Sequence, residues 1–342
     1  MSFDILGEPV HTRCLAVAFT QGVGDSIIFH ADIIDLRKGG LMELAGRIAM
    51  SGIIHKMELS GAFSAETGIL ESIGWAQSHV MHEANQATKG ECCRDPMTRL
   101  KGLVGSRLGE GFVANLKNHF GGPLGCTHVN TLFQELSAFV ARLFEVRRVH
   151  PELAELRQLG ERISSRSLFF DAFFPEAGDA SQLSVRLADL HYATADKDGG
   201  EGLFLHEETR LLGEAELVGW QLRDLHAKER SRRGPTCQAE PWTDRTAELE
   251  SFSGRSLGGG MARFCLERFA EKPEDARLLS SVMSLAPGMT QVGAAVSDSL
   301  APSPLARPSG SGLAGPGPCF MLRSEGPLMK SILTGGESDS SN

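Results

Sequence analysis

The chain is short of the features that announce most well-marked functions. It has a single tyrosine, and aromatic residues make up 6% of its 342 positions, so the stacking platforms used by single-stranded nucleic-acid binders are scarce. Positive charge is short as well: 34 Lys and Arg against 43 Asp and Glu leave a formal net charge of −9, which argues against a phosphate-binding footprint. The one basic run, Lys228-Glu229-Arg230-Ser231-Arg232-Arg233, is broken by an acid and reads as a solvated loop. No stretch approaches the roughly 20 apolar residues that cross a bilayer. The start, Met1-Ser2-Phe3-Asp4, is acidic and lacks the charged-then-apolar order of a leader. A cytoplasmic protein with neither nucleic acid nor membrane as partner is the expectation.

Motifs are missing too. There is no Gly-x-x-x-x-Gly-Lys-Ser/Thr, no Gly-x-Ser-x-Gly and no His-Glu-x-x-His, so phosphate cradling, a serine nucleophile elbow and a helical zinc pair are not indicated. The seven cysteines, at 14, 92, 93, 126, 237, 265 and 319, show no repeating spacing. With 41% hydrophobic residues the chain has core enough without staples, and a disulfide framework is not expected.

What is present is a pattern written twice. Leu100 to Phe112 and Leu249 to Met261 both read Leu-x-x-apolar-x-Gly-x-x-Leu-Gly-x-Gly-apolar, each followed by a helical apolar pattern ending in Phe120 and Phe269. Upstream, Ile73-Gly74-Trp75 is matched with Val218-Gly219-Trp220; downstream, Val129 to Leu143 with Leu278 to Val292, the latter interrupted by Pro287-Gly288. In the first half Cys14 to Phe19 and Ile27 to Ile33 flank Gly22-Val23-Gly24 as a hairpin, with further strands at Ile53 to Leu59 and Ile69 to Val80. In the second half Leu183 to Thr194, Gly202 to Leu212 and Ala215 to Leu225 are the strand candidates. The fold expected is α+β, a tandem pseudo-repeat in which each copy is an antiparallel β-meander packed against two or more helices. The expected divisions are a first module at 1–147, a helical connector at 148–180 centred on the Leu-, Glu- and Arg-rich Pro151 to Arg166, a degenerate second module at 181–300, and a Pro/Gly/Ser-rich tail at 301–342. That tail composition points to disorder, with a transient helix at Pro327 to Leu333.

The chemistry concentrates at Gly125-Cys126-Thr127-His128. Gly121-Gly122-Pro123-Leu124-Gly125 breaks one helix and places Cys126 or Thr127 at the N-cap of the next, where the helix dipole favours a thiolate. Cys126 then serves as nucleophile, proton donor or ligand; the bland alternative is that Thr127 caps the helix and Cys126 packs as a small apolar residue. Cys92 and Cys93 lie in a loop before the Gly-rich element. Together with Cys126 and His128, and with His55, His79 or His82 from the strands, they offer a mixed Cys/His set of the kind zinc or iron favours. At the offset that aligns the two Gly-rich patterns, Cys92 and Cys93 become Pro241 and Trp242, and Cys126 and His128 become Asp275 and Arg277. The second copy therefore keeps the frame and drops the reactive pair.

Ile54-His55-Lys56-Met57, a cysteine at 93, Leu103 to Phe112 and the Gly-Gly-x-x-Gly-Cys-Thr-His element resemble, over residues 10 to 145, a bacterial family catalogued as domain of unknown function 2889. The resemblance implies a site of His55, Cys93, Cys126 and His128 and supplies no reaction. A fainter similarity, in element order, is to NifU-type iron–sulfur scaffold proteins. The function expected is an enzyme acting on a small, largely apolar organic molecule by proton transfer, a lyase, isomerase or hydratase, with Cys126, His128, His55 and Cys93 as catalytic residues and no cofactor required. Two alternatives stand beside it: a zinc or iron–sulfur protein using Cys92, Cys93, Cys126 and His128, and a non-catalytic binding or assembly protein. A homodimer is compatible with all three.

Overall fold

The computed structural model of the protein describes residues 7–39, 42–44, 47–49, 51–109, 111–155, 157–175, 179–194, 202–234, 240–269, 272–296, 317 and 319–333. Its strands are β1 (Glu8–Gln21), β2 (Ser26–Arg37), β3 (Met42–Leu44), β4 (Arg47–Ala49), β5 (Gly52–Ser64), β6 (Leu70–His79), β7 (Arg162–Phe174), β8 (Ala180–Ala193), β9 (Gly202–Glu216), β10 (Leu222–Arg233) and β11 (Thr243–Asp244). The helices are α1 (Phe112–Phe120), α2 (Thr127–Val149), α3 (Met261–Phe269), α4 (Ala276–Met283), α5 (Leu285–Ala295) and α6 (Pro327–Leu333). The fold is α+β. Nine strands form one sheet in the order β11-β10-β9-β8-β7-β1-β2-β5-β6, and the pairings joining them are antiparallel.

Period-two alternation explains which face is covered. Leu15, Val17 and Phe19 of β1, Ile27, Phe29, Ala31 and Ile33 of β2, and Met57, Leu59 and Phe63 of β5 are all buried, while the residues between them on β1 and β2 are mostly half-buried or exposed. Side chains of one parity share a face, so one face meets the helices and the other is open. Against the covered face, α2 lies on β1 and β2, α4 on β8 and β9, and α5 on β1 and β7.

The two meanders meet in the middle. β1 pairs with β7 from Glu8↔Phe174 to Thr20↔Arg162, and one hydrophobic core runs through residues of both halves. This changes the expected divisions. The 148–180 connector is not helical: after α2 ends at Val149 and a short 3-10 turn covers Pro151–Ala154, the chain forms β7. Ile163, Arg166, Leu168, Phe170 and Ala172 are buried along it, the last four at period two, a signal that the Leu/Glu/Arg spacing just upstream obscures. The basic run is not a loop either, because residues 228–233 belong to β10, where Arg230 pairs with Glu208 and buried Glu229 with Arg245.

Matching hydrogen bonds fasten the Gly-rich stretch of each half to its own meander. Gly105 and Ser106 pair with Leu70, and Gly254 and Arg255 with Leu222; Leu108 donates to the Gly68 carbonyl, and Leu257 to that of Trp220. Trp220 therefore stands where Gly68 stands, in a turn and at positive φ in both cases, and not where Trp75 stands within β6. The likeness of Ile73-Gly74-Trp75 to Val218-Gly219-Trp220 is one of letters and not of place in the fold.

The Pro287-Gly288 interruption accompanies the break between α4 and α5 at Ser284, since proline cannot donate to the carbonyl four residues back. Gly288 has its own reason: a Cβ there would lie 2.5 Å from ring atoms of Phe170. Of the tail, 301–316, 318 and 334–342 lie outside the described residues. Residues 319–333 are folded, with α6 over the span expected for a transient helix, and they pack on the first half.

Candidate functional site

The covered face of β1, β2 and β5 carries polar side chains where the pattern calls for apolar ones. Arg13 stands opposite Asp35, which stands opposite His55, across three adjacent strands; His11 is one step along on β1. All four are buried. The Arg13 guanidinium donates to both carboxylate oxygens of Asp35, Nε to Oδ1 at 2.7 Å and Nη2 to Oδ2 at 3.1 Å. Nε2 of His11 is 3.2 Å from Oδ1, and Nδ1 of His55 is 3.7 Å from Oδ2. A charge so deep is tolerated only when paired and hydrogen-bonded.

The motif helix completes the group. Cys126 is the N-cap of α2, with extended backbone and its carbonyl accepting from Asn130. Gly125 is needed for that entry, because a Cβ would lie 2.2 Å from the Phe120 carbonyl oxygen. His128, two residues on, reaches in both directions. Its Nδ1 is 3.8 Å from Cys126 Sγ, and its Nε2 is 3.1 Å from Asp35 Oδ2. The His55 ring lies against it, with centroids 3.7 Å apart, and the Gln291 amide from α5 is 3.5 Å from Nε2. Thiol, imidazole and carboxylate thus stand in a line, sulfur to ring to buried acid.

Electrostatics follow from that line. Burial opposes charge on His128, but the hydrogen bonds and charges of Asp35 and Cys126 outweigh it and lift its pKa to about 9. Burial alone would raise Cys126; the hydrogen bond and charge of His128, with the backbone N–H groups of Val129 and His128, bring it below the ordinary thiol value. Asp35 is held well below the carboxylate range, since Arg13, His11 and His128 together overcome desolvation. His55 goes the other way: burial and the neighbouring charge of His128 push it well below 6.5. At neutral pH the group holds Arg13 and His128 positive and Asp35 negative, with the Cys126 thiol shifted toward ionisation by the imidazolium and a neutral His55 packed against that ring.

Of the residues expected from the sequence, Cys126, His128 and His55 are brought together. Cys93 is close by but of another character. Its thiol is pushed far up, by burial first and by the charge of Cys126 second, and it packs with Met321 and Leu328. Cys92 does not join them: its Sγ donates to Asp95 Oδ1 at 3.2 Å, and its pKa is raised, chiefly by desolvation. The thiolate set an iron–sulfur cluster needs is therefore not assembled from Cys92, Cys93 and Cys126. Among the described residues, the set whose ligand atoms come within 4.8 Å of one another is Asp35, His55 and His128, which contains no sulfur. His79 is an exposed end of β6, away from this group.

Sequence reasoning misses Arg13, Asp35 and His11. Their signal is parity: His11-x-Arg13-x-Leu15-x-Val17 on β1 and Ala31-x-Ile33-x-Asp35 on β2 put polar and charged groups on a face that is otherwise hydrophobic. The second half carries an echo. Arg166 donates to Asp189 with Nε to Oδ1 at 2.7 Å and Nη2 to Oδ2 at 2.8 Å, while Arg277 there binds Glu207 at 2.6 Å and Asp275 is the N-cap of α4.

Residues 11–142 match the model of a family described as a protein of unknown function, DUF2889. The match covers the first meander, α1 and most of α2. It holds His11, Arg13, Asp35, His55, Cys126 and His128, so the whole polar group lies within the matched stretch. No curated protein and no solved structure matches the chain. Among the described residues no helix is long and apolar enough to cross a membrane.

Proposed function

We propose that the protein is an enzyme in which Cys126 and His128 act as a proton-transfer pair on a small, largely apolar organic molecule, in a reaction of the lyase, isomerase or hydratase kind. The observation that carries this reading is the line Cys126–His128–Asp35, at 3.8 and 3.1 Å. A thiolate beside an imidazolium is a ready base next to a ready acid, and a buried carboxylate behind the ring fixes its orientation and charge. Arg13 positions Asp35 in turn. Apolar surroundings support the substrate class: Met57, whose sulfur is 3.8 Å from Cys126, with Val80 and Cys93 nearby. A polar atom without a hydrogen bond, Oε1 of Gln77, would meet the polar end of such a molecule. On this reading the second half is a twin without the thiol that contributes α5 and Gln291 to the wall.

The metal reading keeps one supporting observation, the nearness of Asp35, His55 and His128. Arg13 opposes it, because its guanidinium takes both Asp35 oxygens and repels a cation. Ultraviolet thiolate absorbance, compared between the native chain and Cys126→Ser, tests the proposal. A thiolate present at pH 7 and titrating below the ordinary thiol value is expected. A thiol that ionises only above that value, or one equivalent of zinc or iron bound by the purified protein and lost on His128→Gln, would point away from acid/base work.

A further inference from the structure

We propose that residues 319–333 form a displaceable cap over the Cys126 site, occupying the space where the apolar body of the substrate lies, so that the segment must lift for the site to work. The inference rests on the reading of Cys126 as the reactive group and adds its regulation. Four observations carry it. The backbone N–H of Phe320 donates to the carbonyl of Gly125 at 2.7 Å, which sets Cys319 beside Cys126 at the mouth of the motif. Arg323 forms an ion pair with Glu91 in the loop that carries Cys92 and Cys93. Met321 and Leu328, each 2% exposed, bury themselves against Cys93 and Val80 in a small cluster, and none of its buried members belongs to the main core. Finally, Gln77, whose amide nitrogen is 3.5 Å from the carbonyl of Cys93 under the cap, keeps its Oε1 buried without a hydrogen bond, a cost that native packing avoids unless a ligand supplies the missing bond.

The arrangement is that of a stand-in. Methionine and leucine side chains cover the apolar wall as a hydrophobic substrate would, and bring nothing for the polar end. Among the described residues, the cap meets the body through a backbone bond, an ion pair and a small apolar cluster.

The test is alkylation of Cys126 by iodoacetamide in the full chain, followed by peptide mass spectrometry. Leu328→Asp unseats the apolar cluster, and Arg323→Glu weakens the ion pair more gently, with Glu91→Arg added to restore it. Cys265, at 0% exposure in the main core, reports whether the body stays folded. We expect Cys126 to react about tenfold faster or more in Leu328→Asp, as a locally opened segment allows, and measurably faster in Arg323→Glu, to return toward the native rate in the charge-swapped pair, and Cys265 to stay unmodified throughout. An unchanged Cys126 rate in both variants overturns the cap, as does Cys265 becoming reactive together with Cys126 in both. The two readings fail separately: a cap that lifts from a thiol of ordinary pH profile removes the catalytic proposal alone, and a low-pKa thiolate in a chain whose variants react no faster removes the cap alone.

Discussion

Asp35→Ala is expected to lower folding stability by about 3–5 kcal/mol, because it leaves Arg13 and His128 as buried cations without their shared anion. The carboxylate is the hub of the site. It accepts both Arg13 bonds and lies 3.1 Å from His128 Nε2 and 3.2 Å from His11 Nε2. Urea unfolding measures the loss, and Asp35→Asn separates charge from shape, since the amide fills the same volume and cannot balance two cations. Should Asp35→Ala unfold at the native midpoint, the electrostatic account of the site is wrong. The pH dependence has a definite sign on each side. Asp35 is depressed on folding, so its contribution is present above the ordinary carboxylate pKa and is lost only as the pH falls through its lower folded value. His128 is raised from 6.5 to about 9, so its contribution is complete below pH 6.5 and disappears as the pH rises toward 9.

His128→Gln is expected to remove the stability that the imidazolium contributes at neutral pH and, with it, the influence that lowers the Cys126 thiol. With the imidazolium gone, burial is left as the dominant influence on Cys126, and its pKa should climb from below the ordinary thiol value to above it. The thiolate fraction at neutral pH then falls by roughly tenfold or more, which ultraviolet absorbance and alkylation of the uncapped protein both read. A Cys126 that titrates the same with and without His128 would mean that the 3.8 Å approach carries no charge.

The local parts of this site are legible in the chain. Gly125-Cys126-Thr127-His128 marks a helix start and a thiol–imidazole spacing because both depend on neighbours in sequence, and the β1–β2 hairpin shows through its alternation around Gly22. The partners that decide the charge are not legible in this way. Arg13 and Asp35 meet only through strand register, and neither stands near Cys126 in the sequence; only their parity with Leu15 and Ile33 betrays them. β7 is hidden by a helix-like composition ahead of it, and Arg166, which bonds Asp189, Glu135 and Ser280 at once, is hidden with it. Residues 319–333 read as part of an unpacked tail because Pro and Gly surround them, although Met321 and Leu328 find an apolar surface that no short-range pattern describes.

Nitrogen-15 NMR of the histidine-labelled protein asks most directly whether His128 is an imidazolium held between Asp35 and a thiolate. With His128→Gln assigning the signal, both ring nitrogens should be protonated at pH 7 and remain so until the pH nears 9. A His128 found as a neutral tautomer at pH 7, titrating like a free imidazole near 6.5, would overturn the charged pairing of His128 with Asp35 and with it the lowered pKa of Cys126.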